Sequence, residues 1–117
     1  MKHLKKNDYQ SDVRADGRTV RKMMELNVSE PVSSMVFYLN DVPNGNFGKH
    51  YHSKSTEIIW FPNGGKIEVN GEIYIMGNWD GMLLEPGDAH SYNKGDCNNV
   101  IHFAVKFPAD NDKVEVK

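Results

Sequence analysis

The sequence predicts an all-β domain, and three observations support that prediction. Turn-forming residues recur roughly every 8 to 15 positions, as at Pro62-Asn63-Gly64-Gly65. The runs between these turns are rich in Val, Ile, Tyr, Phe and Trp, which pack well on a pleated surface. Helix signals are poor, and residues 20–27 fit either one helical turn or a first strand, of which we favour the strand. Short strands at this spacing are typical of a β-sandwich or a barrel.

Six runs are predicted to be strands. They are residues 33–39, 57–61, 66–69, 72–76, 81–85 and 100–107. Asn70-Gly71, between the third and fourth runs, is a strong signal for a two-residue hairpin turn. In that register Val69 lies opposite Glu72, so each face of the hairpin has mixed polarity. This leaves open a longer loop or a hairpin that projects from the body.

Length, charge and cysteine content limit the class of protein. The 117 residues suffice for one hydrophobic core. We divide the chain into an N-terminal arm (1–19, partly disordered), a barrel domain (20–108) and a charged C-terminal tail (109–117). The formal net charge of -2 gives no electrostatic reason to expect nucleic acid or a membrane as partner. There is no signal-peptide pattern, no apolar run of membrane-spanning length, and a single cysteine, Cys97. We therefore expect a cytoplasmic protein.

Two histidines and a glutamate stand in the stretch 47–65. His50 and His52 are two positions apart, so they share one face of a strand. Glu57 is five positions beyond His52, an odd interval that removes it from that face if the strand continues straight. The small polar residues 53–56 between them have the composition of a turn. We expect the chain to reverse there, so that Glu57 opens the next strand and faces the histidines across the strand pair, with Ile59 and Phe61 on the same inward face.

A third histidine, His90, follows the turn at Pro86-Gly87 and begins another predicted strand. Neutral imidazole nitrogens and a carboxylate oxygen suit a divalent transition metal such as Fe, Mn, Ni, Co, Cu or Zn. Three histidines and one glutamate leave coordination positions open for water or substrate, which matches a catalytic site better than a closed structural one.

The pattern H50-x-H52-x4-E57-x6-G64, followed by P86-G87-x2-H90, resembles the two motifs of the cupin superfamily. The resemblance covers about residues 33–107. It implies a jelly-roll barrel, or double-stranded β-helix, with a metal near one end. It also implies that His50, His52, Glu57 and His90 are the metal ligands.

Several turn residues depart from the family pattern. Glu85 stands where the family has proline, Trp79 stands where it has the upstream glycine, Asn93 arrives one position early, and Gly45 is displaced before the first motif. These departures affect loop geometry and leave the four ligand positions intact.

Four further side chains are candidates for a substrate pocket. Tyr92 shares its strand face with His90, Phe61 shares the inward face of Glu57, and Tyr38 lies on the strand 33–39. His102 alternates with Ala104 and Lys106, opposite a continuous apolar face that looks like the core face. This alternation favours an outward or dimer-facing His102 over a role in the cavity.

The resemblance is compatible with several functions. We favour a metal-dependent enzyme that acts on a small polar organic molecule by dioxygenase, isomerase or lyase chemistry. The alternatives are a non-catalytic module that binds a metabolite or sugar, and a barrel whose metal is structural or stored. Small cupins commonly pair through N-terminal arms, so the resemblance also implies a homodimer.

Overall fold

The structure, a computed structural model, describes residues 1–44, 47–92 and 98–116, without the side chains of residues 42–44, 47, 92 and 98–100. The described residues form twelve strands and one short 3-10 turn at Lys6–Asp8. The strands are β1 (Lys2–Leu4), β2 (Gln10–Val13), β3 (Thr19–Lys22), β4 (Val36–Asn44), β5 (Phe47–His52), β6 (Thr56–Phe61), β7 (Gly65–Val69), β8 (Glu72–Met76), β9 (Asp80–Leu84), β10 (His90–Tyr92), β11 (Asn98–Phe107) and β12 (Lys113–Glu115).

The strands form two five-stranded antiparallel sheets and a separate hairpin. The first sheet has the order β1-β9-β6-β11-β4, the second has the order β12-β5-β10-β7-β8, and β2 pairs with β3. The sheets enclose a core whose members are apolar and buried: Ile59, Phe61, Ile67, Val69, Met76, Met82, Leu84 and Ala104. The predicted all-β fold is confirmed. Gly45, Asn93 and Cys97 lie outside the described residues.

The Asn70-Gly71 hairpin has the predicted register. Val69 pairs with Glu72, and both turn residues have positive φ, 51° at Asn70 and 86° at Gly71. The mixed polarity arises because β8 is an edge strand, on which Ile73 and Ile75 point to solvent. The mixed polarity of the hairpin is therefore compatible with a two-residue turn, and no longer loop is needed.

Strand β11 presents its polar face to the interior, which is the reverse of the face expected for His102. Ala104 belongs to the core between the sheets, while Val105 and Phe107 form a second cluster with Ile58 on the outer side of the first sheet. Residues from the N-terminal region, such as Met24, pack on that outer cluster. Val105 and Phe107 on the apolar face of β11 are thus buried outside the barrel, and His102 lies inside.

Short strands lie in both segments for which the sequence predicts an arm or a charged tail. Strand β1 pairs with β9 and buries Leu4, and β12 pairs with β5. The sequence does not predict these two strands, because each is only three residues long, belongs to a segment rich in charged residues and lies at a sheet edge. In the described part of the chain, no helix has the length and apolar character needed to cross a membrane.

Tyr9 holds the N-terminal segment in place by a hydrogen bond, and ionisation of its hydroxyl should lower the stability of the protein at alkaline pH. Its hydroxyl donates to the carbonyl oxygen of Trp79 at 2.6 Å. Burial and the nearby charge of Asp80 raise the pKa of Tyr9 to about 12. Since the unfolded chain releases this proton near pH 10, the free energy of unfolding should fall as the pH rises from about 10 to 12. We expect Tyr9→Phe to flatten that decline in urea titrations at successive pH values. An identical decline in both proteins would contradict this prediction.

Candidate metal centre

Three imidazole rings meet inside the barrel, all from the second sheet. His50 and His52 share one face of β5, and His90 begins β10, where it pairs directly with His50. One potential ligand atom from each ring lies within 4.8 Å of the other two. All three side chains are buried, with exposed fractions of 3%, 7% and 2%. The period-two spacing thus has the predicted effect, and the pairing of β10 with β5 supplies the third ring.

Hydrogen bonds orient each ring. His50 Nδ1 lies 2.9 Å from the Gly48 carbonyl oxygen, and His90 Nδ1 lies 3.1 Å from the Asp88 carbonyl oxygen. His52 Nδ1 lies 3.1 Å from the Asp112 carboxylate. Because carbonyl oxygens and ionised carboxylates only accept, each Nδ1 must carry the proton and donate. In the neutral ring, Nε2 is then the nitrogen that retains a lone pair.

Glu57 reaches the histidines from the opposite sheet. Its Oε1 lies 3.4 Å from His90 Nε2, and its Oε2 lies 3.8 Å from His52 Nε2. Burial raises the pKa of Glu57, but the interaction with His90 and the other two imidazoles outweighs burial, so the pKa is lowered. The carboxylate is therefore ionised at neutral pH.

The expected reversal after His52 occurs, but its geometry differs from the prediction. Strand β5 belongs to the second sheet and β6 to the first, so Glu57 is not across a strand pair from the histidines. Residues 53–55 carry the chain from one sheet to the other. The odd interval between His52 and Glu57 therefore reflects two facing sheets.

The donor set fits a divalent transition metal. His90 Nε2 is buried and makes no hydrogen bond among the described residues, because the Glu57 carboxylate 3.4 Å away is an electrostatic neighbour only, although a buried polar atom normally makes one. Burial lowers the pKa of His50 to about 4, so this ring is neutral at pH 7 and can offer a lone pair. Nitrogen donors with one carboxylate form the kind of set that such ions prefer.

Asp112 is a site residue that the sequence analysis missed. Besides orienting His52, its carboxylate accepts the backbone N–H groups of Lys54 at 2.8 Å and Ser55 at 2.7 Å. These hydrogen bonds outweigh the effect of burial and hold the pKa of Asp112 well below its usual range. The same carboxylate thus fixes the crossover between sheets and one histidine. The sequence gives no motif for it, because it lies in a charged segment about sixty residues from its partner.

The three rings and Glu57 line a cavity of about 260 Å³. The first sheet contributes an apolar floor and a polar wall, and β12 closes one side. The remaining lining residues are Tyr38, Asn40, Ile59, His102, Ala104, Lys106, Asn111 and Lys113. Apart from Ile59 and Ala104 the lining side chains are polar or charged, so the cavity suits a small polar ligand rather than a largely apolar one.

The four predicted pocket residues have different positions. Tyr38 and His102 line the cavity. Phe61 lies in the core, where its ring makes an edge-to-face contact with His102 at a centroid distance of 6.1 Å. The side chain of Tyr92 lies outside the described part of the structure. Burial lowers the pKa of His102 to about 4, which makes its imidazole neutral at pH 7.

Neither a protein-family model nor a curated protein sequence matches this chain. Solved structures do. Pac13 of Streptomyces, described as a unique nucleoside dehydratase, superposes with a TM-score of 0.63 at 17% identity, covering 95% of this chain and 87% of Pac13. Variants of Pac13 have been solved with uridine.

Two other solved structures show the same architecture. A Klebsiella pneumoniae protein with a double-stranded β-helix domain has a TM-score of 0.63 at 14% identity, covering 76% of this chain and 80% of the other. Salicylate 1,2-dioxygenase of Pseudoaminobacter salicylatoxidans, solved with gentisate, has a TM-score of 0.54 at 13% identity, covering 62% of this chain and 20% of the enzyme. At these identities the likeness establishes the fold.

Proposed function

This chain has the double-stranded β-helix fold of the cupin superfamily, and we propose that it is a metal-dependent enzyme acting on a small polar organic molecule. His50, His52, His90 and Glu57 would hold one divalent transition metal ion. The observation that carries the proposal is the shared orientation of the three rings. Each Nδ1 is tied to an acceptor, and potential ligand atoms converge beside an ionised carboxylate.

We favour isomerase or lyase chemistry over oxidation by dioxygen. When bound, the ion supplies Lewis acidity, which polarises an oxygen atom of the bound molecule. His102 and Asn40 pair across β11 and β4, so both side chains face the cavity from the wall that carries Tyr38. An imidazole there is placed to exchange a proton with a bound molecule, while the amide and phenol orient it. Ile59 and Ala104 give the cavity an apolar floor.

Solvent-deuterium incorporation tests this proposal. Protein loaded with Fe, Mn, Ni or Zn is incubated in D₂O with a metabolite mixture, and products are followed by mass spectrometry while oxygen uptake is recorded. We expect a product that carries deuterium, without oxygen uptake, and we expect His102→Gln to keep its metal but to lose most of the turnover. Product formed with stoichiometric oxygen uptake would indicate a dioxygenase instead. Absence of product under every metal would favour the metabolite-binding alternative.

Asp112 should act on the metal through His52. An acceptor on the non-ligating nitrogen fixes the tautomer and raises the basicity of the ring, and its loss typically lowers metal affinity about 10- to 100-fold. We expect a decrease of that order for Asp112→Asn in zinc titrations with a competing chelator. Asp110→Asn is the matched control, because Asp110 is exposed and accepts the hydrogen bond of Lys106 through its backbone carbonyl oxygen, which the substitution retains. Equal affinities for the two variants would contradict the role given to Asp112.

We also propose that the chain forms a homodimer through the outer face of the first sheet. That face exposes Phe37 (61%) and Leu39 (74%), and Phe103 stacks between Phe37 and Trp60. Large exposed apolar patches usually mark protein contacts. Light scattering at micromolar concentration should give twice the mass of one chain, and Leu39→Glu should reduce it. A monomer mass for the unmodified protein would contradict this proposal.

A further inference from the structure

Two lysines from different sheets flank the candidate metal centre. Lys113 lies on β12 directly opposite His52 on β5, and side chains of directly paired residues project from the same face of a sheet. Lys106 lies on β11 directly opposite Glu57 on β6. Both line the cavity. The positive charges therefore come from opposite walls and face the same space as the histidines.

The two lysines differ in depth. Lys106 is buried, and its Nζ donates to the Asp110 carbonyl oxygen at 2.7 Å and lies 3.6 Å from the Asp112 carboxylate. Lys113 is exposed, whereas the three histidines are buried. Lys113 thus lies between the buried centre and solvent, beside Asn111.

A bound divalent ion would leave the charge around the cavity unbalanced. Of the residues that line the cavity in the described part of the chain, Glu57 alone is acidic, and it is engaged with His52 and His90. Lys106 is paired with the Asp112 carboxylate behind it, so Lys113 and Glu57 are the remaining charges of the lining, and a bound divalent ion would leave a positive excess. A bound molecule with a negative group would offset that excess.

We propose that Lys113, with Asn111 beside it and Lys106 deeper in the wall, forms an anion subsite, and that the substrate is a small organic anion. This inference rests on the proposed function. The negative group, a carboxylate or a phosphate, lies near Lys113, and the rest of the molecule extends to the histidines. The cavity volume of about 260 Å³ is below the range of about 300–1,000 Å³ typical of sites for drug-sized ligands, so the substrate is compact.

The test compares matched probes on matched variants. Dissociation constants for succinate, neutral succinamide and inorganic phosphate are measured by NMR chemical-shift titration on the metal-free and zinc-loaded proteins. The variants are Lys113→Gln, its charge-conserving counterpart Lys113→Arg, and Lys22→Gln. Lys22 is an exposed residue of the β2–β3 hairpin and carries the same charge change away from the cavity.

We expect at least one anion to bind more tightly than succinamide to the metal-free protein, and we expect Lys113→Gln to weaken it about tenfold, as for loss of one charged hydrogen bond. Lys113→Arg and Lys22→Gln should retain most of the affinity. Preference for succinate would identify a carboxylate and preference for phosphate a phosphate ester. Equal binding of anions and succinamide, or equal loss in Lys113→Gln and Lys22→Gln, would overturn the inference. Failure of zinc to bind would refute the proposed function yet leave the metal-free comparison valid.

Discussion

Replacing His90 with alanine is expected to abolish retention of a divalent ion while leaving the barrel folded. His90 is the histidine of the second motif, and its Nε2 lies 3.4 Å from the Glu57 carboxylate. Alanine would remove one of the four proposed ligands and leave an incomplete set. The ring is buried, but its Nδ1 makes one hydrogen bond to a local carbonyl oxygen, so its loss should cost stability only moderately.

The measurement is elemental analysis after dialysis against a weak chelator, with circular dichroism to verify folding. His3→Ala is the matched control, since His3 pairs with Asp80 at 3.2 Å and does not line the cavity. We expect one equivalent of metal in the unmodified protein and in His3→Ala, and none in His90→Ala. One equivalent retained by His90→Ala would show that the histidine cluster is not the site.

The second large effect is expected from Phe61→Ala. Phe61 is fully buried in the core between the two sheets and contacts the His102 ring. Truncation of a buried phenylalanine lowers the free energy of unfolding by about 3–5 kcal/mol, because apolar contacts are lost and a cavity remains. That is a large part of the total stability of a domain of this size. His102 would also lose a neighbour that limits its orientation.

Urea denaturation of Phe61→Ala and Phe37→Ala checks this expectation. Phe37 is the same residue type with most of its side chain exposed, so its truncation should change the free energy of unfolding by less than about 0.5 kcal/mol if the chain is measured as a monomer. Similar costs for the two variants would mean that the space between the sheets is not the principal core.

Much of the fold could be predicted from turn chemistry and strand composition. The Asn70-Gly71 turn predicted the register of β7 and β8 with a longer loop as the alternative, and the two-residue register is the one observed. The period of two along a strand predicted that His50 and His52 share one face of β5 and that Glu57 and Ile59 share one face of β6, and all four line the cavity. These are local properties, which sequence patterns encode directly.

The orientation of β11 could not be predicted in the same way. Both of its faces carry buried residues, Ala104 between the sheets and Val105 and Phe107 in the outer cluster, so alternation alone did not distinguish inside from outside. The same holds for the reversal after His52, whose composition indicates a turn but not whether the next strand pairs with β5 or joins the facing sheet.

Asp112 shows a different limit. Its importance depends on β12 pairing with β5, a contact between residues about sixty positions apart. No local pattern distinguishes it from Asp110, which is exposed. Such a residue becomes recognisable only when the topology brings its carboxylate to His52 Nδ1.

The most direct test of the metal centre is a crystal structure of the metal-loaded protein, with diffraction data collected on both sides of the absorption edge of the metal. We predict one anomalous peak per chain inside the barrel, in contact with Nε2 of His50, His52 and His90 and with the Glu57 carboxylate. The absence of a peak there, or a peak held by other residues, would contradict the assignment of these four side chains as a metal site.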